Sequence, residues 1–255
     1  MNIPLIVQAR VQSTRFPGKV LQPFAGGLTL LEYQLARLKA AIPSSPIVIA
    51  TSTNAADEPI ARAAEKMGVL CFRGDEQDVL GRFVACCGHF EITGPIIRIC
   101  GDNPFLQTGL LTILLNEAAG YKEGYDYIGF SVDKIPAIRT HFGFFGELVT
   151  AEALAYTYEH TESSHFHEHV TSYIYESTGS FRVLWLEIEG LAPYLNTLRL
   201  TVDSKEDFEN ALYVHRHLPC PEGSTGPSWQ EIVLFIEGKP ALKNSMARQI
   251  NIYQK

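Results

Sequence analysis

The segment Ile3-Pro4-Leu5-Ile6-Val7-Gln8-Ala9 is a short, continuous apolar run bounded by polar residues, the mark of a strand buried on both faces of a parallel sheet. A polar loop follows it. Thr29 and Glu32 then have capping-box spacing, and Leu30, Leu31, Leu35 and Leu38 recur at helical intervals up to Ala41, so a helix is predicted before Pro43-Ser44-Ser45-Pro46 stops it. Outward from this first unit the alternation repeats. A strand over 47–50, a helix over 57–67 stopped by Gly68, a strand over 69–72, a helix over 78–89, a strand over 95–100 and a helix over 106–119 follow in order. Strands alternating with helices predict an α/β fold with a mostly parallel sheet flanked by helices.

Beyond Tyr125 the pattern loosens. Aromatic-rich segments over 125–130 and 142–149 read as strands, and 151–158 and 167–175 as helices, so about 125–180 is expected to be a smaller inserted region facing a substrate. Residues 181–188 and 198–202 return to strand character, 204–217 is a predicted helix, and 229–237 is a last short helix within a carboxyl-terminal extension over 219–255. The sequence carries no internal repeat, low-complexity tract or interdomain linker, so 1–255 is expected to form one domain.

The chain has 255 residues, of which 46% are hydrophobic and 19% charged, with a mean hydropathy of +0.01. This is the balance of a soluble globular protein and excludes disordered and collagen-like structure. A chain of this size can bury most of its apolar surface without disulfide or metal staples. Twenty-one Lys and Arg against 28 Asp and Glu leave a net charge of −7, so the whole-molecule field does not attract a polyanion and nucleic acid is not an expected partner. The cysteines (Cys71, Cys86, Cys87, Cys100, Cys220) are odd in number, form no C-x-x-C pair and mostly sit in apolar runs. They read as buried thiols of a reducing compartment. Met1 to Val7 has no basic leader pattern, and no apolar run approaches the ~18 residues of a membrane span, so a cytoplasmic protein without membrane association is expected.

Ligands of open parallel sheets bind beyond the carboxyl ends of the strands, so the residues just after each strand carry the functional information. After the first strand comes Arg10-Val11-Gln12-Ser13-Thr14-Arg15-Phe16-Pro17-Gly18-Lys19, with three cations, no acid, two hydroxyls and a glycine that lets backbone approach a ligand. It reads as an anion cradle; a solvated surface loop is the alternative. It is not a Walker A motif, since Gly18-Lys19 lacks the earlier glycine and the following Ser or Thr, and the chain has no G-x-G-x-x-G, G-x-S-x-G or H-E-x-x-H. Two further strand ends carry Asp102, in Gly101-Asp102-Asn103-Pro104, and Asp203, after Leu198-Arg199-Leu200-Thr201-Val202. Two carboxylates meeting near a basic loop are what holds Mg²⁺ against a polyphosphate, hard ligands for a hard ion. Singly, Asp102 also fits a turn, and Asp203 with Glu206 a helix cap.

Other segments read as structure. His165, His167 and His169 could share a face toward zinc, but no fourth ligand accompanies them, and a polar helix start touching substrate is the preferred reading. Cys86-Cys87 lie in an apolar helix and read as packing residues. Phe142-Gly143-Phe144-Phe145 reads as core, with stacking on a sugar or base as the alternative.

At these residues the chain resembles the cytidylyltransferases that make CMP-activated sugars, including CMP-Kdo and CMP-sialic acid synthetases. The likeness rests on Gln8-Ala9-Arg10 through Ser13-Thr14-Arg15-Phe16-Pro17-Gly18-Lys19, and on Ala50-Thr51-Ser52, Phe72-Arg73-Gly74-Asp75, Gly101-Asp102-Asn103-Pro104-Phe105, Glu168-His169-Val170-Thr171 and Arg199-Leu200-Thr201-Val202-Asp203. It spans about residues 3 to 215 and is nearest to the spore-coat polysaccharide biosynthesis group. The resemblance implies a Rossmann-like nucleotidyltransferase fold, CTP as a substrate, a Mg²⁺ cofactor and a homodimer.

By the same resemblance, Arg10 and Lys19 grip the triphosphate, Arg15 assists, and Asp102 and Asp203 hold the metal; Arg10, Lys19, Asp102 and Asp203 form the catalytic set. Ala9, Ser13, Arg73, Gly74 and Arg82 are expected around the cytidine, and Glu147, His167 and His169 around the acceptor. The chain departs from the group at Phe142-Gly143-Phe144-Phe145 and at His167, where relatives often carry Arg, and both departures fall in the acceptor region. The implied reaction is attack of a sugar or sugar-acid oxygen on the α-phosphorus of CTP with loss of pyrophosphate. The alternatives are another base, a non-sugar acceptor such as an alcohol or phosphonate, and a non-catalytic nucleotide-binding protein.

Overall fold

A computed structural model describes residues 3–120, 124–177, 179–218 and 226–253. Its first β-α unit is β1 (Leu5–Gln8), a small hairpin of β2 (Pro23–Ala25) and β3 (Leu28–Thr29), and α1 (Leu30–Ala41). The predicted capping box is present: the Thr29 hydroxyl accepts from the Glu32 amide, and the Glu32 carboxylate accepts from the Thr29 amide. The alternation continues through β4 (Ile47–Ser52), α2 (Glu58–Met67), β5 (Leu70–Gly74), α3 (Val79–His89), β6 (Pro95–Cys100) and α4 (Thr108–Gly120). The second half supplies β7 (Tyr127–Val132), β8 (Ile135–Pro136), β9 (Glu147–Thr150), α5 (Ala151–His160), α6 (Ser164–Glu168), α7 (Ser172–Glu176), β10 (Val183–Glu187), α8 (Lys205–His217), α9 (Trp229–Glu237) and α10 (Pro240–Ile252).

The main sheet has the order β10-β7-β9-β6-β1-β4-β5, with β8 hairpinned to β7. β4, β5 and β6 run parallel to β1 or to its parallel neighbour, β7 is parallel to β10, and β9 is antiparallel to both β6 and β7. β7 and β10 therefore run in the same direction as β1, and their carboxyl ends emerge on the same edge. The expected α/β fold with a mostly parallel, helix-flanked sheet is what the chain adopts.

The period-2 alternation of the strands divides the core in two. Leu5, Val7, Ile47, Ile49, Ile97 and Ile99 face one layer, with Leu30, Leu31, Leu35 and Leu38 of α1 and Leu111 and Leu114 of α4. Ile6, Val48, Ala50 and Ile96 face the other, with Val79, Leu80 and Phe83 of α3 and Leu154 of α5. Each such Leu or Ile stabilises the fold by about 1.5–3 kcal/mol through removal from water. Cys86 and Cys87 belong to this second layer, where burial pushes their thiols up to about 12 and about 11, so they are packing residues. Cys71 and Cys100 are only half-buried, which corrects their expected burial, and Cys220 lies outside the described residues.

Other expectations change in detail. Within the 125–180 stretch, β7 and β9 enter the sheet between β6 and β10. Only 147–150 of the expected 142–149 strand joins the ladder; Phe142, Phe144 and Phe145 are buried ahead of it, where Gly143 (φ 67°) brings its Cα against the Leu200–Thr201 backbone. A β-carbon at 143 would lie 3.1 Å from the Leu200 carbonyl carbon and oxygen.

The segment it approaches, Leu198–Val202, is no strand. Its amides go elsewhere, Leu200 and Thr201 to the His141 carbonyl and Val202 to the Asp102 carbonyl, so it is held as buried extended chain. The expected 167–175 helix is two short ones, α6 and α7, broken at His169–Thr171. Finally, α10 continues the chain past the last predicted helix. Among the described residues no helix is long and apolar enough to cross a membrane.

Candidate active site

The loop after β1 is folded by its own backbone and by one acid. The Gly18 amide donates to the Val11 carbonyl (2.8 Å), and Gly18 takes the left-handed conformation (φ 72°) that turns the chain into Lys19. Asp57 accepts from the Val11 amide at 2.6 Å and from the Ser52 amide at 3.1 Å, tying this loop to the end of β4.

Lys19 is carried into the interior, 8% exposed. Its Nζ donates to Asp102 Oδ2 (2.6 Å), the Val202 carbonyl (2.6 Å) and Asp203 Oδ1 (3.3 Å). Burial opposes the ammonium charge, but the two carboxylates outweigh it and the pKa is raised. Asp102 and Asp203 thus converge on one cation, one from the tip of β6 and the other from the turn before α8. Asp203 is not a helix cap. Ser204 and Asp207 cap α8, with Asp207 also accepting from the Asp203 amide (3.1 Å) and from Arg199 Nε (2.8 Å).

Arg199 is fully buried and spans the turn: Nη2 donates to Asp203 Oδ2 (2.9 Å) and Nη1 to His141 Nδ1 (2.6 Å), which makes that nitrogen the acceptor. Arg15 meets the other face of Asp203, Nη2 to Oδ1 at 3.3 Å. Arg199, Asp207 and Asp57 were not singled out from the sequence, although a charge inside the apolar run Leu198-Arg199-Leu200 is a signal of a buried ion pair.

A second group runs along the ends of β1, β4 and β5. Arg10 Nη2 pairs with Glu168 Oε1 at 2.8 Å and Nη1 reaches the Glu76 carbonyl at 3.4 Å. The Glu76 carboxylate accepts from Asn54 Nδ2 (2.9 Å), and the Asn54 carbonyl accepts from Arg73 Nη2 (2.9 Å). Arg73 also pairs with Glu58. Arg82 is fully buried, donating to the Asp75 carbonyl at 2.6 Å, while its Nε and Nη2 have no hydrogen-bond partner. Burial lowers its pKa. Gly74 packs on Arg82, since a β-carbon there would come within 3.0 Å of Arg82 Cγ. Ala9 is 3% exposed and Ser13 half-buried.

Beside the aspartates and the segment 137–140 that follows β8 opens a cleft of about 520 Å³. Asp102, Asp203 and Arg15 line it together with Arg98, Arg139, His165, His169 and Tyr175. The three residues expected at the acceptor separate here: His169 lines the cleft, and Glu147 and His167 are not among the residues that line it.

Glu147 is 1% exposed and holds a buried network, pairing with Arg98 and accepting from the Tyr127 hydroxyl (2.7 Å) and Thr171 Oγ1 (2.9 Å). Burial and the adjacent Glu147 push the Tyr127 hydroxyl well above its ordinary pKa, and burial does the same at Tyr175. Arg98, which lines the cleft, also donates to Gln8 Oε1 (3.1 Å), and its buried Nε has no hydrogen-bond partner. The carboxylate therefore orients a cleft arginine from below.

His167 instead anchors α6, with Nδ1 2.7 Å from Asp78 Oδ1 and Nε2 2.9 Å from the Thr161 carbonyl. Both ring nitrogens face acceptors, which favours the imidazolium. Burial lowers its pKa, the Thr161 carbonyl and Asp78 raise it more, and the net shift is upward from 6.5. A raised folded-state pKa stabilises below the unfolded value and loses that contribution as pH rises through the folded value. The melting-temperature gap between the wild type and His167→Gln is expected to be largest below about pH 6.5 and to shrink at higher pH. A gap that is flat or grows with pH overturns this assignment. No group of three His, Cys, Asp or Glu side chains that could hold a metal occurs among the described residues.

A parallel sheet with its polar side chains gathered at the carboxyl edge, around a cleft between strand-end loops, is the layout of a nucleotidyltransferase. Residues 5–220 match the cytidylyltransferase family model, and the chain belongs to that family. It is 36% identical over 223 residues to the spore coat polysaccharide biosynthesis protein SpsF of Bacillus subtilis, covering 83% of this chain and 86% of that protein. A solved cytidylyltransferase of Leptospira borgpetersenii superposes with a TM-score of 0.82 at 24% identity, covering 95% of this chain and 96% of that one. The structure of CMP:2-keto-3-deoxy-manno-octonic acid synthetase in complex with CTP superposes with a TM-score of 0.62 at 14% identity, covering 85% and 99%.

Proposed function

We propose that this cytidylyltransferase moves CMP from CTP to an oxygen of a sugar or sugar acid and releases pyrophosphate. The observation that carries the reading is the convergence of Asp102 and Asp203 on the buried Lys19 ammonium at the wall of the cleft. Two carboxylates and the Val202 carbonyl, all oxygens, already surround that ammonium, and such a donor set fits a hard divalent cation such as Mg²⁺. Asp102 and Asp203 would hold the ion, and substrate oxygens would complete its shell. When bound, it supplies charge stabilisation to the polyphosphate.

The protein's own groups do the rest by placement. Arg10, Arg15 and Lys19 bind the triphosphate and offset charge gathering on the departing pyrophosphate. Arg10 exchanges Glu168 for phosphate oxygens as it does so. Ala9, Ser13, Arg73, Gly74 and Arg82 surround the cytidine; the unpartnered Nη2 of buried Arg82 supports that placement. The acceptor enters over His169, where Arg98 and Arg139 suit a carboxylate and the hydroxyls of Thr140, Ser172 and Tyr175 suit a polyol. Holding both reactants in one cleft converts a bimolecular reaction into an effectively unimolecular one. By likeness to SpsF, the product is a precursor for cell-surface polysaccharide.

The test is pyrophosphate release with CTP, UTP, ATP and GTP against nonulosonic and other sugar acids, neutral sugars, polyols and phosphonates. Release with CTP and a sugar or sugar acid is the expected result. Preference for another base or for a phosphonate refutes the corresponding part, and CTP binding without turnover on any acceptor marks a nucleotide-binding protein.

A further inference from the structure

The carboxyl-terminal helix reaches the cleft. Tyr253, at the end of α10, lines the cavity, and two guanidinium groups lie over its ring: Arg15 Cζ at 4.9 Å and Arg199 Cζ at 5.7 Å from the centroid. These are the same two arginines that grip the two oxygens of Asp203, at 3.3 Å and 2.9 Å. We infer that Tyr253 is a positioning residue of the nucleotide site: its ring orders Arg15, and through Arg15 sets one face of Asp203. The inference rests on the proposed roles of Arg15 and Asp203 toward CTP.

Arg15 and Arg199 differ in how much they need the ring. Arg199 has a fully buried side chain locked by Asp207 and His141 and keeps its place without help. Arg15 has a side chain 42% exposed, on a loop, with rotamer freedom to lose before it can serve a phosphate. An aromatic face against its guanidinium restricts that freedom in advance.

The ring in turn is well founded. The Tyr253 amide donates to the Gln249 carbonyl (3.0 Å), and Gln249 Nε2 donates to Glu206 (2.5 Å). Ser204 donates to Gln249 Oε1 (3.1 Å) and Ser245 to Glu206 (2.6 Å). Helix α10 is thereby fastened to the first turn of α8, immediately after Asp203, so ring and carboxylate share one rigid support. Nothing in the sequence of 219–255 marked this stretch as part of the site.

The test is calorimetric titration with CTP and Mg²⁺ of the wild type, Tyr253→Leu, Tyr253→Phe, Arg15→Ala and the Arg15→Ala/Tyr253→Leu double variant, each with its melting temperature. Leucine keeps apolar contact without an aromatic face. It is expected to weaken CTP binding about threefold to tenfold, the scale of an exposed-to-partly desolvated cation–π contact, with little change in melting temperature. Phenylalanine is expected to restore wild-type binding. In the Arg15→Ala background the leucine change is expected to add nothing further, because its effect passes through Arg15. Wild-type binding by Tyr253→Leu, or an equal loss with and without Arg15, overturns the inference. A wild type that takes up no CTP overturns instead the reading of the site on which it stands.

Discussion

Asp203→Asn is expected to lower kcat for CTP-dependent pyrophosphate release by roughly 10²- to 10³-fold, the loss typical of one preorganised electrostatic partner in a low-dielectric site. Asparagine keeps the shape of the side chain and removes its charge. The buried Arg199 retains both contacts to Asp207 at 2.8 Å and 3.1 Å, so the turn before α8 keeps its anchor and the melting temperature should move by only a few degrees. Lys19 retains Asp102 at 2.6 Å. A fully active Asp203→Asn protein would remove this residue from the catalytic set and, with it, the convergence on which the proposed function depends. Asp102→Asn should behave alike, since the two carboxylates meet the same ammonium.

The second large effect is on stability. Glu147→Ala removes the counter-charge of the buried Arg98, leaving it the Gln8 amide oxygen, and takes an acceptor from Tyr127 and Thr171. Breaking a buried pair from one side costs about 3–5 kcal/mol, which in a chain of this length lowers the melting temperature by roughly 10 °C. The double change Arg98→Leu/Glu147→Leu should recover part of that loss, because removing both partners leaves no buried orphan charge. Thermal unfolding followed by circular dichroism reads all of these. If Glu147→Ala melts with the wild type and instead raises only the KM of the acceptor, the carboxylate contacts substrate and its buried structural role is refuted.

What could be read from the sequence follows from the range over which each feature is specified. The strands β1, β4 and β6 and the helices between them are local patterns, and Thr29 with Glu32 marks a helix start within four residues. Lys19 and Asp102 were legible together because doubly wound sheets gather strand ends and the loops after them at one edge, whatever the distance in sequence; Asp203 joins them from the turn before α8, behind a segment held by the His141 and Asp102 carbonyls and not by a ladder. The strand expected at Leu198–Val202 failed because an apolar run says nothing about whether a ladder partner is available; here Gly143 lets the Phe142–Phe145 turn pack against it, and the His141 and Asp102 carbonyls take its amides. Glu147 and His167 are the right residue types for recognition, yet both are spent on internal bonds that only tertiary placement determines. Tyr253 was invisible for the opposite reason: its partners lie at positions 15 and 199, and no local pattern announces a contact made from the last helix.

The antiparallel strand β9 has a consequence for how the sheet assembles. Arg98 and Glu147 are directly opposite in the β6–β9 ladder, within the pairing Ile97 to Leu148 and Ile96 to Val149. A slip of one residue in either direction sets Arg98 against Gly146 or Leu148 and Glu147 against Ile97 or Ile99, burying two unmatched charges among aliphatic side chains. The same slip would carry Leu148 and Val149 to the opposite faces of the sheet, each into a layer packed for the other. The ion pair therefore acts as an alignment key alongside the aliphatic pattern: it contributes little net favourable energy to the correct register, but it makes the neighbouring registers costlier still, so β9, antiparallel to both of its neighbours, can dock in a single position.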